Sequence, residues 1–338
     1  MRIAVVHGPN DVRLDDVAEP MPAAEDVLVR VAACGLCGSD LSYVAMGGLG
    51  GGPMPLGHEI AGVVERVGPR VPGLTPGQHV VVNPMAAGND IGNGGREGGL
   101  TPLLLVRNAA HDRAVFPIPQ HVPLARAALA EPLAVALHAV NRAAACRGDR
   151  VVVFGAGQIG LGIVYWLCRR GVTDIVVVDP AAHRRELALR LGARSTLDPR
   201  ARPVADALAE LHGAGRLFGW PVAQSDLYID AAGVPPVIDD VLQMARAGAK
   251  LLVVALHTRA VPVDFRLVLA KEMTIAAAIG YPTEFPDAIG ALAADDALDT
   301  MISHRVRWPD LPAALAAARD PATALKVMVV FPRDDGRD

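Results

Sequence analysis

Residues 151–160 read Val-Val-Val-Phe-Gly-Ala-Gly-Gln-Ile-Gly, an apolar run that stops on the pattern Gly-x-Gly-x-x-Gly. The run reads as a buried strand, and residues 158–170 read as the helix that follows it. In such a strand–turn–helix, Gly155 permits the tight turn, Gly157 lets the backbone approach a ligand, and Gly160 lets the helix pack on the strand. The spacing alone is weak, because a chain with 34 glycines produces it by chance. Its context is stronger. A second strand ends at Asp179, nineteen residues beyond Gly160. An acid there accepts hydrogen bonds from ribose hydroxyls and repels a 2′-phosphate. Strand, glycines and acid together predict a dinucleotide site that takes NAD in preference to NADP, with phosphates at the helix N-terminus. Its expected contacts are Gly155, Gly157, Gln158, Ile159, Gly160 and Asp179. Arg184 and Arg185 are the side chains that would hold the extra phosphate of NADP.

The same alternation continues downstream. Strand-like segments at 175–178, 227–229 and 250–255 alternate with helical stretches at 181–191 and 236–245. That order implies βαβ units and a doubly wound parallel sheet, an α/β class. The first third differs: strand-like runs at 27–33, 60–67 and 79–82 are broken by Pro-Gly turns, the texture of a compact β domain. Residues 127–145 are Ala- and Leu-rich and read as a helix, and from about residue 274 the texture is mixed again, closing on a strand at 326–331. A nucleotide domain inserted into a second domain accounts for this arrangement.

Composition narrows the class of function. Hydrophobic residues make up 51 % of 338, enough for a core in each domain, and the net charge of −4 argues against a nucleic-acid or anionic-membrane surface. No signal-peptide pattern opens the chain, no apolar run reaches membrane-spanning length, and four cysteines are too few for a disulfide framework. A cytoplasmic location is expected.

Three segments of the first domain carry metal-type ligands: Cys34-Gly-Leu-Cys37-Gly-Ser39-Asp40, Gly57-His58-Glu59 and Glu131-Pro132. Zinc takes thiolate, imidazole and carboxylate, and a catalytic site keeps one position open. Bland readings compete. Cys34-x-x-Cys37 is also the spacing of a redox pair or half a structural zinc site, although no thioredoxin-like context and no second cysteine pair accompany it. A lone His58 is more often structural than a ligand. Spacing alone leaves both readings open.

The succession Cys37-Gly-Ser-Asp40, Gly57-His-Glu-Ile-Ala-Gly-Val-Val64, Glu131-Pro-Leu-Ala-Val-Ala-Leu-His-Ala139 and the glycine fingerprint resembles the zinc-containing medium-chain dehydrogenases. Within them it is most similar to the sorbitol, butanediol and threonine dehydrogenase branch, in order over nearly the whole chain. The resemblance implies a mainly β GroES-like catalytic domain at 1–140 and 275–338, and a Rossmann NAD-binding domain at 141–274. It implies that Cys37, His58 and Glu59 hold a catalytic zinc, that Glu131 is a further ligand directly or through water, and that Cys34 is a small buried residue. Ser39 would relay the substrate proton, and Asp40 would orient His58. Further NAD contacts are expected around Ala231–Gly233 and at Ala255-Leu256. The implied activity is oxidation of a secondary alcohol, such as a polyol or diol, to a ketone by NAD, in a homodimer or homotetramer.

Two departures from the family stand out. The stretch 83–101, where relatives often carry four cysteines for a structural zinc, has none. One zinc per chain is therefore expected. Position 42 is Ser where a relay histidine is often found, which leaves the outer proton path open. Tyr43, Met46, the glycine run 47–52 and Tyr281 are candidates to line or cover a substrate pocket, expected in the cleft between the domains. The rival readings are a zinc-free reductase of activated double bonds using NADPH, and a catalytically silent protein that binds NAD and zinc. The ligand set disfavours the first, and intact Ser39 and Asp40 disfavour the second.

Overall fold

The computed structural model describes residues 1–110 and 113–332. The chain divides into two compact units, Met1–Glu131 with Phe285–Asp338, and Pro132–Glu284.

The first unit is built on a sheet whose strands run in the order Ile302–Arg307, Lys326–Val330, Val27–Leu36, Glu59–Val67, His79–Val82 and Val115–Pro117. Leu103–Val106 also pairs with Val27–Leu36. These strands are rich in β-branched residues, which suit a pleated, half-buried surface. Val29, Val31, Ile60, Val80, Val82, Val327 and Val329 close the core. The long strand Val27–Leu36 positions the site. Its end pairs Gly35 with Glu59 on one side and Leu36 with Val327 on the other. The segments of Glu59 and Lys326, 267 residues apart, thus meet across one strand end.

The second unit holds a six-stranded, all-parallel sheet ordered Ser195–Leu197, Asp174–Val178, Arg150–Phe154, Leu227–Asp230, Lys250–Val253 and Thr274–Ala277. Strand order reverses at Arg150–Phe154, the switch point at which doubly wound sheets bind ligands. Val152, Val176, Tyr228 and Leu251 are buried in its core, as expected of a sheet covered on both faces.

The unit boundaries fall at Glu131/Pro132 and Glu284/Phe285 rather than at the expected 140/141 and 274/275. Both shifts have a physical reason. The helix Ala130–Ala143 packs on the helix Gln158–Arg169: Trp166 Nε1 donates to Leu133 O at 2.9 Å, and Gly162 leaves room for the Ala136 side chain. Past residue 274, Thr274–Ala277 is still a sheet strand. The helix expected at 127–145 is two helices, Leu124–Ala127 and Ala130–Ala143, so Glu131 sits in the first turn of the second. A hairpin, Ala214–Leu217 with Trp220–Ala223, was not foreseen. Its turn residues Phe218 and Gly219 both have positive φ, as a two-residue hairpin of type I′ requires.

Candidate functional site

In the first unit, the helix Gly38–Met46 starts directly after the strand Val27–Leu36, with Cys37 as its N-cap. Asp40, in the first turn, is fully buried and ties the neighbouring segments together. Its Oδ2 accepts from the Cys37 N–H at 2.8 Å, its Oδ1 accepts from the Gly57 N–H at 3.3 Å, and Oδ1 lies 3.4 Å from His58 Nδ1. Burial pushes the Asp40 carboxyl up, but His58 and these backbone donors outweigh it and hold it below its ordinary value. With Nδ1 facing Asp40, His58 turns Nε2 the other way, 3.4 Å from Ser39 Oγ.

Ligand atoms of Cys37, His58 and Glu59 all lie within 4.8 Å of one another, and among the described residues this is the cluster able to hold a metal ion. Two observations test the fit of zinc. The donor set is thiolate, imidazole and carboxylate, the chemistry zinc prefers. Glu59 Oε2 is buried and has no hydrogen-bond partner, an orphan that a metal would satisfy. That oxygen lies over Gly35, where a side-chain Cβ would come within 1.9 Å of it. Glycine is therefore required at 35 for the carboxylate to take this place.

Glu131 is buried but does not join the cluster of three. Its charge acts on Lys326, a residue that sequence reasoning missed. Lys326 is fully buried, and its Nζ donates to Glu59 Oε1 at 2.5 Å and to Leu36 O at 2.9 Å. Burial alone would lower its pKa, but Glu59 and Cys37 outweigh that and raise it. Cys34 is fully buried, and burial pushes its thiol well up, the state of an inert core cysteine. Ser42 Oγ turns back to Gly38 O at 3.1 Å. Tyr43, by contrast, donates its hydroxyl to Asn93 Oδ1 at 3.2 Å and interacts with the Ser39 hydroxyl.

Asn93 belongs to the cysteine-free stretch 83–101, which is held by other means. Ile91 is fully buried, Asn89 bridges Ala86 O and the Arg107 backbone, and Arg107 pairs with Glu97 at 2.8 Å.

In the second unit, Gly155 has φ +92° and sits against Ala231, and Gly157 caps the helix Gln158–Arg169 with no side-chain capping bond. A Cβ on Gly160 would lie 1.9 Å from Gly155 O. The turn is thus as tight as the fingerprint implies, and the helix end offers unfilled N–H donors to an anion. The Gln158 side-chain amide is buried without a partner at the same turn. Asp179 is buried, accepting from the Ala156 N–H at 2.8 Å and the Ala181 N–H at 2.7 Å, which pins the carboxylate beside the glycine turn.

Arg185 donates to Asp179 O and Pro180 O and pairs with Asp198; Arg200 forks onto the same Asp198. The Arg200 hydrogen bonds hold the Asp198 carboxyl well below its usual range. Asp230 is a further residue that sequence reasoning missed. Fully buried at the end of its strand, it accepts from the Ala232 and Gly233 N–H groups and lies 2.7 Å from His257 Nε2, joining the loops at 231–233 and 255–257. Tyr281 is buried in this unit.

Comparison with known proteins follows the same division. The alcohol dehydrogenase GroES-like domain family matches residues 23–119, and the zinc-binding dehydrogenase family matches residues 159–294. Sorbitol dehydrogenase of Macaca fascicularis is 31 % identical over 320 residues, covering 89 % of this chain and 88 % of the relative. The crystal structure of 2R,3R-butanediol dehydrogenase from Bacillus subtilis superposes with a TM-score of 0.84 at 28 % identity, covering 98 % of this chain and 99 % of the other. A dehydrogenase from Escherichia coli CFT073, solved with NADH, gives a TM-score of 0.84 at 25 % identity, covering 98 % and 99 %.

Proposed function

The chain belongs to the zinc-binding alcohol dehydrogenase family, and from that premise we propose that it oxidises a secondary alcohol with a neighbouring hydroxyl, a polyol or diol, to the ketone with NAD. The observation that carries this reading is the grouping of Cys37, His58 and Glu59 beside Ser39, with Glu59 Oε2 left unpartnered.

Cys37, His58 and Glu59 would hold one zinc per chain, and Glu131 would reach it through water. When bound, zinc would supply the Lewis acidity for an alcohol to lose its proton near neutral pH, and NAD would supply the hydride acceptor. The rest falls to the chain's own side chains. Asp40 fixes the His58 ring so that Nε2 is the donor. Ser39 Oγ takes the hydroxyl proton of the substrate and releases its own proton outward towards solvent. Gly155, Gly157, Gln158, Ile159 and Gly160 would cradle the cofactor's phosphates, and Asp179 would take the ribose. Asp198 occupies both Arg185 and Arg200, and with Asp179 it would repel a 2′-phosphate, which supports NAD over NADP.

The strand Thr274–Ala277 is an open sheet edge, and Leu269, Ile275 and Ile279 are exposed around it, which supports a homo-oligomer formed by copies of this chain. All four cysteines are free, in keeping with a reducing compartment such as the cytoplasm. Among the described residues, no helix is long and apolar enough to cross a membrane.

Steady-state assays with NAD and NADP over sorbitol, 2,3-butanediol and simple secondary alcohols test the reading. Turnover of a vicinal diol or polyol with NAD is expected. Turnover confined to NADPH-linked reduction of activated double bonds would replace it with the zinc-free reductase reading.

A further inference from the structure

Zinc sites gain affinity from negative charge, yet in this cluster a buried lysine is paired with the carboxylate. Lys326 Nζ reaches Glu59 Oε1 and Leu36 O across the end of the strand Val27–Leu36, and its side chain is fully buried. The charges of Glu59, Cys37 and Glu131 all favour its charged form. A buried carboxylate with no cation beside it is costly, and removing one partner of a buried pair leaves the other uncompensated. Without a metal, Lys326 is the group that neutralises Glu59. With a metal, it is a like charge close to a dication. Its bond to Oε1 also leaves Oε2 pointing free over Gly35.

From this geometry we propose that Lys326 is a standing counter-charge of the metal site, which keeps the metal-free site folded and lowers zinc affinity in exchange. The proposal rests on the reading that Cys37, His58 and Glu59 bind zinc. Lys326 acts through Glu59 and is a positioning residue.

A purely structural role predicts the opposite sign: a lysine that only steadies Glu59 would, when lost, loosen the ligand and weaken zinc. The test is zinc retention by the purified full chain against a chromophoric chelator, read without substrate, for wild type, Lys326→Gln and Lys326→Met. Glutamine keeps a donor for Glu59 and removes the charge. Methionine removes both. Either folded variant should hold zinc at least tenfold more tightly than wild type, and its zinc-induced rise in Tm should exceed that of wild type. Equal or weaker retention would overturn the proposal. Failure of both variants to fold even when expressed in zinc-supplemented medium would overturn it too, because zinc should replace the missing ammonium. A wild-type chain that takes up no zinc, or a Cys37→Ala chain that holds it as well as wild type, would instead refute the metal site itself.

Discussion

Gly35→Ala is a minimal perturbation that reaches the proposed metal site. The added Cβ would stand 1.9 Å from Glu59 Oε2, 3.0 Å from its Cδ and 3.2 Å from its Cβ. To regain ordinary contact the carboxylate oxygen must retreat by about 1.5 Å, far beyond the roughly 0.2 Å tolerance of a metal–ligand distance. A carboxylate at the end of a free side chain would move at little cost. Glu59 is not free, since Lys326 holds Oε1 inside a fully buried pair, so the methyl group either stretches that pair or strains the strand. Overpacking of this kind costs about 1–3 kcal/mol. Two readouts are expected: a loss of folding stability of about that size in urea, and zinc retention lower by roughly tenfold or more, since about 1.4 kcal/mol is one decade. Gly52→Ala is the control, because nothing lies within 4 Å of a Cβ there. If Gly35→Ala matches Gly52→Ala in both stability and zinc retention, Glu59 does not occupy the place described.

Ser39→Ala should lower kcat about 10²-fold, the usual size of a general acid–base contribution, with zinc content unchanged; loss of zinc instead would make Ser39 a structural residue. Asp179→Ser should weaken NAD and narrow the gap to NADP, read as the ratio of the two kcat/KM values, and an unchanged ratio would remove Asp179 from cofactor choice. His212, buried against Ser225 at 2.8 Å, has its pKa lowered mainly by that burial. A histidine whose folded pKa lies below its unfolded value of about 6.5 contributes stability above that value, and the contribution is lost as pH falls through the folded pKa. Urea midpoints measured downward from neutral pH should therefore fall less steeply in His212→Asn, and identical slopes would contradict the assignment.

The parts of this molecule that were legible in the sequence are those whose physics is local. The strand–glycine–helix run at 150–169 fixes its own conformation through φ and close packing, and its acid at 179 follows within one βα unit. Cys37, Ser39 and Asp40 sit within one helical turn, and Asp40 reaches His58 because Gly57 brings the next segment back to it. Lys326 was out of reach because it meets Glu59 only through strand pairing 267 residues away, and a lone lysine in Ala-Leu-Lys-Val-Met carries no local sign of a metal site. Asp230 and His257 are joined in the same long-range way. The last sheet strand, Thr-Ile-Ala-Ala, is only four residues long and half alanine, and it pairs along the edge that Lys250–Val253 offers, so its texture read as the start of the next domain. The break at residues 128–129 lies inside an Ala-rich run, and Pro132, suited to the first turn of a helix restarting there, is its local mark.

We propose that Cys37, His58 and Glu59 form a zinc site required for alcohol oxidation. Metal analysis of the purified chain, followed by chelation and zinc replacement under NAD-linked assay with a diol or polyol, tests it most directly. About one zinc per chain is expected, as for a lone catalytic site, with activity lost on chelation, restored by zinc, and absent in Cys37→Ala. A metal-free chain with full activity, or an active Cys37→Ala variant, would contradict the account.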